Sequence, residues 1–382
     1  MTPNTARAPI RVLQLLTLSG GNGEYGGPNR VAREISKSLD RTKFVSRIFT
    51  GALAMSPPVP ESGVIEEYVF VRPLLRSLPF SSLWSGKLPR TLWTHIRWSQ
   101  LVHIHLGRDL IPIVGAFICR ILRRPYVTHT HGMVVPDSRF STFIIDKFLI
   151  KSILSRSKTN FVLSKKEQSD MAPLNLKCPL TLLPNGISLP NMPPLNDKLL
   201  SGRILFVSRL HSRKRVGLFL ELAKYAYWHY PELNFEIYGP DGGELEEIIS
   251  QLRSEPQLSK TRYVGSLSPD KVISVLTQAD LLVLPSDNEQ FPMVVLESLS
   301  VGTPALIMPS CGLAPLFIGD YSALVADTND LQGLIRAFDQ LYLQDFFSDR
   351  RSDLFDFCYL TFNISNIHRT IEVTYLEALN NG

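Results

Sequence analysis

Short runs of apolar residues alternate with amphipathic segments along the first half of the chain. The runs predict buried strands at residues 11–18, 44–51, 101–107, 125–132 and 160–164. A helix is expected at residues 28–39, with Pro28 in its first turn, where proline is favoured. Strands that alternate with helices are typical of a parallel sheet with helices on both faces.

The alternation stops at residues 183–202, which are rich in proline, asparagine and glycine, and then it resumes. The second half of the chain predicts strands at 203–210, 234–240, 261–267, 280–286 and 303–309, and helices at 216–228, 244–253, about 270–278 and 292–301.

The two series predict two Rossmann-like α/β domains, residues 1–187 and 201–364, joined by a linker at 188–200. The final stretch, residues 365–382, is expected to form a helix that packs back on the first domain. Because ligands of such sheets bind at the carboxyl ends of the strands, two facing sheets would hold a ligand in the cleft between the domains.

The composition agrees with a packed protein of about two domains. The chain has 382 residues, of which 20% are charged and 44% are hydrophobic. Its four cysteines lack C-x-x-C spacing, which argues against a zinc site or a disulfide framework and fits a reducing compartment. The N-terminal residues lack the layout of a signal peptide, and the long uncharged stretch 298–319 contains three prolines. We therefore expect a cytoplasmic protein, with peripheral attachment to the inner face of a membrane left open.

The charge is distributed unevenly between the two halves. Residues 1–190 contain 25 Lys and Arg but 11 Asp and Glu, whereas residues 191–382 contain 15 and 24. The basic half also carries three tryptophans within 72–100 and a basic amphipathic stretch at 141–158. This pattern predicts attraction to an anionic membrane surface. A flap over an acceptor site would also explain residues 72–100.

A glycine loop follows the first strand. In "SGGNGEYGG" (19–27), Gly21, Gly23 and Gly26 match the G-x-G-x-x-G pattern of dinucleotide-binding proteins. That function requires a helix that begins within the motif and an acidic residue at the end of the second strand. The expected helix begins after the last glycine, the second strand ends without an acid, and Glu24 places a negative charge in the loop. We therefore interpret the loop as one that touches a different phosphate or a sugar, with a purely structural turn as the alternative.

Two glutamates eight residues apart form the strongest chemical signal in the second half. Glu289 lies in a loop after a predicted strand, and Glu297 lies inside the following helix. Carboxylates accept hydrogen bonds from sugar hydroxyls, and the first helical turn between them, near Met293 and Val294, has free amides for an anion. Arg209 and Lys214 follow the first strand of the same half and suit a diphosphate.

In this order the motifs resemble those of the retaining glycosyltransferases of family 4, which have the GT-B fold of two facing Rossmann-like domains with an interdomain cleft. The resemblance covers nearly the whole chain. It is carried by "GGPNRV" (26–31), "THG" (130–132), "PNG" (184–186), "SRLHSRK" (208–214), "YGPDG" (238–242) and the pair Glu289 and Glu297.

The resemblance implies a role for each matching residue. Arg209 and Lys214 would bind the diphosphate of a nucleotide-sugar donor, and Glu297 would hold its ribose. Glu289 would hold hydroxyls of the donor sugar, aided by backbone amides of Phe291, Met293 and Val294, and His131 would contact that sugar near the reacting carbon. Gly26 and Gly27 would approach the donor from the first domain, and Glu24 and Tyr25 are candidates for acceptor contacts. His131, Glu289, Arg209 and Lys214 form the expected catalytic set.

The implied reaction is transfer of a hexose, with retention of the anomeric configuration, to a lipid-linked or polysaccharide acceptor. Gln290 and Pro292 stand where the family commonly has glycine, so the identity of the sugar stays open. A nucleotide-sugar epimerase of the same fold and a non-enzymatic sugar- or nucleotide-binding protein are the alternatives. Nucleic acid is not an expected partner.

Two H-x-H pairs raise the question of a metal. His103 with His105, and His129 with His131, would each face one side of a strand and could chelate zinc. Packed or hydrogen-bonded histidines are the favoured interpretation for His103 and His129, because Asp109 is the single carboxylate candidate nearby. No D-x-D pair occurs in the sequence. We therefore expect neither a metal nor a cofactor, because cations and helix amides can stabilise a leaving diphosphate.

Overall fold

The computed structural model describes residues 8–20, 26–55, 57, 62–75, 81–134, 145–187, 201–343 and 350–380. The chain divides into two compact units: unit 1 comprises Met1–Gly186 and Ile364–Gly382, and unit 2 comprises Ile187–Asn363. The expected linker, residues 188–200, lies outside the described residues.

Unit 1 is built on a seven-stranded sheet in which every neighbouring pair is parallel, in the order β3-β2-β1-β6-β7-β8-β9. Strands β4 and β5 form a separate short antiparallel pair. The strands are β1 (Ile10–Ser19), β2 (Phe44–Ala52), β3 (Ile65–Phe70), β4 (Arg72–Pro73), β5 (Leu83–Trp84), β6 (Leu101–His105), β7 (Tyr126–His129), β8 (Asn160–Val162) and β9 (Leu180–Leu182).

Helices cover both faces of this sheet, as a parallel sheet requires. They are α1 (Gly26–Ser38), α2 (Leu88–Trp98), α3 (Leu110–Ile121), α4 (a π-helical turn at Asp146–Ile150 continued by Lys151–Leu154), α5 (Lys165–Met171) and the last helix (Ile364–Asn380). Apolar residues of α2, α3 and α4 share one core cluster. Apolar residues of α1 and the last helix share another, against the opposite face.

Helix α1 begins earlier than the sequence predicts. We expected it to start at Pro28, after the glycines, but it starts at Gly26. Gly26 and Gly27 therefore form the beginning of the first turn, and the side-chain amide of Asn29 donates to Leu18 O at 2.8 Å, which fixes that turn to the end of β1. One of our reasons against a dinucleotide motif was thus wrong. The other two reasons remain, because β2 ends at Ala52 without an acid and the sequence of the loop contains Glu24.

Unit 2 has a five-stranded sheet, all parallel, in the order β12-β11-β10-β13-β14. Its strands are β10 (Arg203–Val207), β11 (Asn234–Tyr238), β12 (Thr261–Gly265), β13 (Leu281–Leu284) and β14 (Ala305–Ile307). Its α-helices are α6 (Val216–His229), α7 (Leu245–Ser254), α8 (Pro269–Thr277), α9 (Met293–Leu299), α10 (Leu331–Leu343) and α11 (Arg351–Phe362).

A membrane span is not found among these elements. None of the helices in the described ranges combines the length and the apolar character needed to cross a bilayer. Part of the tryptophan-rich stretch 72–100 forms helix α2, with Leu88, Leu92 and Ile96 on its buried face.

Candidate functional site

The carboxyl ends of β10 and β13 carry the two groups that the sequence singled out most clearly in unit 2. These strands are neighbours in the sheet, so the loops that leave them lie side by side. Lys214 ends a 3₁₀ turn after β10, and its ammonium group pairs with the carboxylate of Glu289 in the loop after β13. A predicted cation and a predicted carboxylate are therefore in direct contact.

Backbone contacts hold the Glu289 loop in place. The side-chain guanidinium of Arg213 donates to Asn288 O at 3.1 Å, and Asp287 N donates to Arg213 O at 2.8 Å, so the loops after β10 and β13 bind each other. Gly312 N donates to Glu289 O at 2.8 Å. A Cβ on Gly312 would lie 2.1 Å from Gln290 O, which explains why glycine is needed there.

The remaining predicted residues of this loop lie on helix α9 or just before it. Glu297 is on α9 and is buried, whereas Met293 and Val294 are its first two residues. Phe291 is buried, and its ring packs edge-to-face on Phe362 with the ring centroids 5.8 Å apart.

Arg209 lies in the loop after β10 and is exposed. The loop after β11 runs beside it, because Leu210 N donates to Pro240 O at 3.0 Å. Gly239 has a φ of 152°, and a Cβ there would lie 1.8 Å from Ser208 O. The close packing of two loops at the same edge of the sheet therefore requires glycine at position 239, the first glycine of "YGPDG".

In unit 1, His131 occupies a sharp turn after β7. Its φ is 50° and that of Gly132 is 70°, a left-handed conformation that needs support at a non-glycine residue. Glu167 supplies it: one carboxylate oxygen accepts from Thr130 Oγ1 at 2.5 Å and from Gly132 N at 2.6 Å. The other oxygen accepts from Leu163 N at 2.7 Å.

Our sequence reasoning missed Glu167. The signal was present, since Ser164 and Glu167 have the S-x-x-E spacing of a helix N-terminus, and the Ser164 side chain accepts from Glu167 N. Burial raises the pKa of Glu167 above its ordinary value, and the hydrogen bonds from Thr130, Leu163 and Gly132 oppose this shift.

The two H-x-H pairs come together as one histidine cluster, His103, His105, His129 and His131. The rings are stacked: His103 and His105 have centroids 4.6 Å apart at 12°, and His129 and His131 are 3.8 Å apart at 21°. His105 Nδ1 lies 2.7 Å from His131 Nε2. Burial lowers the pKa of His105 to about 3, and burial with neighbouring histidines lowers the pKa values of the other three, so the cluster is neutral.

Three members of the cluster offer ligand atoms within 4.8 Å of one another. A metal ligated by imidazoles lies in the plane of each ring, and stacked rings have parallel planes that cannot meet at one ion. In addition, both nitrogens of His105 already have partners. The stacking therefore fits packed histidines better than a metal centre. His105 and His131 are hydrogen-bonded to each other, whereas neither ring nitrogen of His129 has a hydrogen-bond partner among the described residues.

The glycine loop is only partly described. Gly26 and Gly27 open helix α1, and a Cβ on Gly27 would meet nothing within 4 Å. Glu24 and Tyr25, the candidate acceptor contacts, lie outside the described residues.

Two family models match these two sets of groups. The model described as "Glycosyltransferase Family 4" matches residues 25–190, which include His131 and its turn. The model described as "Glycosyl transferases group 1" matches residues 196–354, which include Lys214 and Glu289. The chain belongs to the family 4 glycosyltransferases.

Curated relatives of this glycosyltransferase include two bacterial enzymes. D-inositol 3-phosphate glycosyltransferase of Corynebacterium urealyticum is 30% identical over 158 residues, 40% of this chain and 36% of that enzyme. UDP-Gal:alpha-D-GlcNAc-diphosphoundecaprenol alpha-1,3-galactosyltransferase of Escherichia coli is 25% identical over 256 residues, 62% of this chain. The chain spans 65% of the latter enzyme's length, so both alignments cover less than two thirds of the relative.

A solved structure extends the likeness to nearly the whole glycosyltransferase. HepE of Anabaena, in complex with UDP, superposes with a TM-score of 0.74 at 16% identity, covering 96% of this chain and all of that one. This confirms the predicted fold class, two parallel-sheet α/β domains of the GT-B type.

Proposed function

We propose that this glycosyltransferase transfers a hexose from a nucleotide-diphosphate sugar to a saccharide acceptor, with retention of the anomeric configuration. The observation that carries the proposal is the contact between Lys214 and Glu289 at the ends of two neighbouring strands of unit 2. One group suits a diphosphate and the other suits sugar hydroxyls, and both lie within the segment matched by the group 1 model.

Donor binding would exchange the partners of this ion pair. The Lys214 ammonium would turn to the diphosphate, and Glu289 would then accept hydrogen bonds from donor-sugar hydroxyls. Arg209, exposed after the same strand, would add a second cation. As the bond to the sugar breaks, these cations would stabilise the charge on the leaving diphosphate, and a diphosphate oxygen would take the acceptor's proton. No metal or cofactor is part of this proposal.

The other residues of the site complete the proposed donor contacts. Glu297 would bind the ribose, and the backbone of Phe291, Met293 and Val294 would face the ligand. His131 would contact the donor sugar, and Gly27 would leave room for the donor beside helix α1.

The donor is tested by a thermal-shift screen with nucleotide diphosphates and their sugars, followed by a transfer assay on the one that stabilises the protein. Lys214→Ala should lower kcat by about 10²- to 10³-fold, since it removes a group that stabilises the leaving charge. Lys224→Ala is the matched control, because Lys224 lies on helix α6 and pairs with Glu221 of the same helix and with Glu255 after helix α7.

Each outcome of this assay decides between functions. Unchanged kcat and donor KM in Lys214→Ala would remove Lys214 from the site. An isomer of the donor formed without acceptor would identify an epimerase. Donor binding with neither transfer nor slow hydrolysis would identify a binding protein.

We further propose that the acceptor is lipid-linked or a polysaccharide and that unit 1 attaches to an anionic membrane surface. The support is the outer face of helices α2, α3 and α4, which we call the α2–α4 face. Trp93, Phe117, Ile121 and Phe148 are exposed on it, the last two by 67% and 65%. Its exposed cations are Arg90, Arg97, Arg120, Arg123, Lys147 and Arg156.

The acidic residues of the α2–α4 face do not offset the charge of those cations. Asp109 and Asp146 are the acids within 85–125 and 145–158, and both are buried. Exposed aromatic and aliphatic side chains among cations suit the interface of an anionic bilayer. The E. coli relative, named for a diphosphoundecaprenol-linked acceptor, is consistent with work at such a surface.

Vesicle co-sedimentation tests this attachment. The protein should bind phosphatidylcholine vesicles that contain phosphatidylglycerol, more weakly at high salt, and should not bind phosphatidylcholine alone. Ile121→Ser with Phe148→Ser should weaken binding, whereas Trp228→Ser, an equally exposed aromatic of unit 2, should leave it unchanged. An equal loss of vesicle binding in the two variants, or equal binding to vesicles with and without phosphatidylglycerol, would contradict the proposal.

A further inference from the structure

A continuous chain of hydrogen bonds runs behind His131 in unit 1. His131 Nε2 lies 2.7 Å from His105 Nδ1, and His105 Nε2 lies 2.9 Å from Gln14 Oε1. Gln14 Nε2 donates to Tyr375 Oη at 3.1 Å, and Tyr375 Oη lies 2.7 Å from His103 Nδ1. The chain thus links the turn after β7 to the last helix through β6 and β1.

This chain is shielded from water. Gln14, His103 and Tyr375 are fully buried and His105 is nearly so. A buried polar atom without a partner is costly, so each group depends on its neighbour in the chain. Gln14 also interrupts the apolar run of β1, a position where a polar side chain needs a specific partner.

The orientation of the Gln14 amide fixes the proton positions along the chain. Its carbonyl faces His105, so His105 Nε2 must carry a proton and donate it. A neutral imidazole has one N–H, so His105 Nδ1 is bare and accepts from His131 Nε2–H. The same orientation directs the Gln14 amide N–H to Tyr375 Oη, whose own hydrogen then points to His103 Nδ1.

The opposite orientation would reverse every bond. If the amide nitrogen faced His105, His105 would donate from Nδ1, and His131 would accept at Nε2 and carry its proton on Nδ1. Tyr375 would then donate to Gln14 and accept from His103. The two states differ at the ligand end in one respect: Nδ1 of His131 is an acceptor in the first and a donor in the second.

We propose that Tyr375 is a positioning residue for His131, which acts through Gln14 and His105 to keep the proton of His131 on Nε2 and its Nδ1 free to accept. The consequence for catalysis rests on the proposed function: a hydroxyl of the donor sugar would donate to Nδ1 of His131. With the Tyr375 hydroxyl in place, reversal also requires a change of tautomer at His103, because Tyr375 would otherwise withdraw the hydrogen that His103 Nδ1 accepts. Without that hydroxyl, the Gln14 amide can turn independently of His103, and both directions of the chain become accessible.

Nitrogen-15 NMR of the full chain, labelled at histidine, tests the proposal without any assay. Protonated and bare ring nitrogens have distinct shifts, and a His131→Gln spectrum assigns the His131 signals. In the wild-type protein His131 should show a single tautomer with its proton on Nε2. Tyr375→Phe should produce a mixture of two His131 tautomers, one with the proton on Nε2 and one with it on Nδ1, and Gln14→Met should do the same.

Tyr126→Phe is the matched control. Tyr126 is also a buried tyrosine of unit 1, but its hydroxyl donates to Ile153 O at 2.7 Å, outside the chain. The Tyr126→Phe change should therefore leave the His131 signals unchanged. A wild-type His131 with its proton on Nδ1, a mixture already in the wild type, or an unchanged tautomer in Tyr375→Phe and Gln14→Met would each overturn the proposal. If one of these variants fails to fold, the wild-type spectrum and the other variant still decide.

Zinc addition adds a second readout. If the stacked histidines instead formed a metal site, Zn²⁺ would shift the signals of His103, His105 and His129 together, and that result would also overturn the proposal. The expected result is no change in these buried residues.

Transfer kinetics separate this inference from the proposed function. Tyr375→Phe should lower kcat/KM for the donor by about three- to tenfold, the effect of one weakened hydrogen bond, while the affinity for the free nucleotide diphosphate stays unchanged. Failure of all donors to react, with the tautomer shift observed, would remove the function and leave the positioning role. A normal kcat/KM in Tyr375→Phe, with the tautomer shifted, would remove the sugar contact of His131.

Discussion

Gly27 illustrates how the structure separates a residue's packing role from a ligand role. It lies in the first turn of helix α1, and a Cβ there would meet nothing within 4 Å. Packing among the described residues therefore does not demand glycine at this position. A ligand that comes close to the backbone would demand it.

Gly27→Ala should leave folding intact and impair donor binding. Alanine favours the helix by up to about 1 kcal/mol, so the thermal midpoint should stay equal or rise. If the donor approaches Gly27, the new methyl group should raise the donor KM. Thermal unfolding and initial rates measure the two effects.

Gly312→Ala is the contrasting change, because its Cβ would lie 2.1 Å from Gln290 O. It should displace the Glu289 loop and destabilise unit 2. An unchanged donor KM in Gly27→Ala would show that the open space beside α1 is not used by the donor.

At the residue scale, the sequence predicted the charged side chains that lie in loops, but not the buried side chains that contact them from the core. Lys214 and Glu289 could be paired in advance, because charged residues after two strands of one sheet meet at its edge. Tyr375 could not be connected to His131, since 244 positions separate them and nothing in a helical pattern reveals which strand residue a buried hydroxyl will face.

At the scale of elements, the short helix α5 fixes the conformation of the THG turn. Its residue Glu167 accepts three hydrogen bonds, two of them from Thr130 and Gly132 on either side of His131. All three partners are donors, so the carboxylate matches them completely. The helix therefore supports the left-handed backbone of His131 through one side chain.

Glu167→Gln should destabilise unit 1 by about 1–3 kcal/mol and lower transfer activity, because an amide group presents a donor to at least one N–H or O–H. Urea unfolding followed by tryptophan fluorescence measures the stability change. Asp170→Asn on the same helix breaks a partly exposed pair with Lys166 and should cost at most about 1 kcal/mol. Equal effects of both changes would contradict a special role for Glu167.

The elements of unit 2 followed their hydrophobic pattern closely, and its five strands and the four predicted helices are present. Two edge strands of unit 1 were missed. β3 is mostly exposed and β9 has three residues, so neither produces the long apolar run that marks a buried strand. We predicted the start of helix α1 too late because glycine is unfavourable in a helix. The contact of Asn29 with the end of β1 overrides that preference.

At the scale of the whole molecule, buried histidines are concentrated in one unit. The four members of the histidine cluster belong to unit 1, whereas His211 and His229 of unit 2 are exposed. The folded pKa values of the cluster lie below the ordinary value, which applies in the unfolded chain. Below about pH 6.5 the unfolded chain binds protons that the folded unit does not, so the stability of unit 1 falls as pH falls.

Unit 1 should therefore become markedly less stable between about pH 6.5 and pH 5, and each cluster histidine contributes up to about 1.4 kcal/mol per pH unit. Trp84, Trp93 and Trp98 are in unit 1 and Trp228 is in unit 2, so fluorescence of a Trp228→Phe protein reports on unit 1 alone. Urea midpoints across this range measure the loss.

His129→Phe should reduce the slope of this pH dependence by about one proton, because it removes one titrating ring and keeps an aromatic residue against Phe161. His229→Phe on the exposed surface should not change the slope for unit 1. A slope unaffected by His129→Phe would mean that the acid sensitivity comes from other groups.

The composition of unit 1 from two separate stretches of the chain has a consequence for synthesis on the ribosome. Ile367, Ile371 and Tyr375 complete a core cluster that otherwise consists of residues from α1 and the first sheet. These residues are translated only after all of unit 2, which is one uninterrupted stretch. The part of this sheet face that the last helix covers therefore stays exposed on the nascent chain while unit 2 is being translated, and chaperones would bind there.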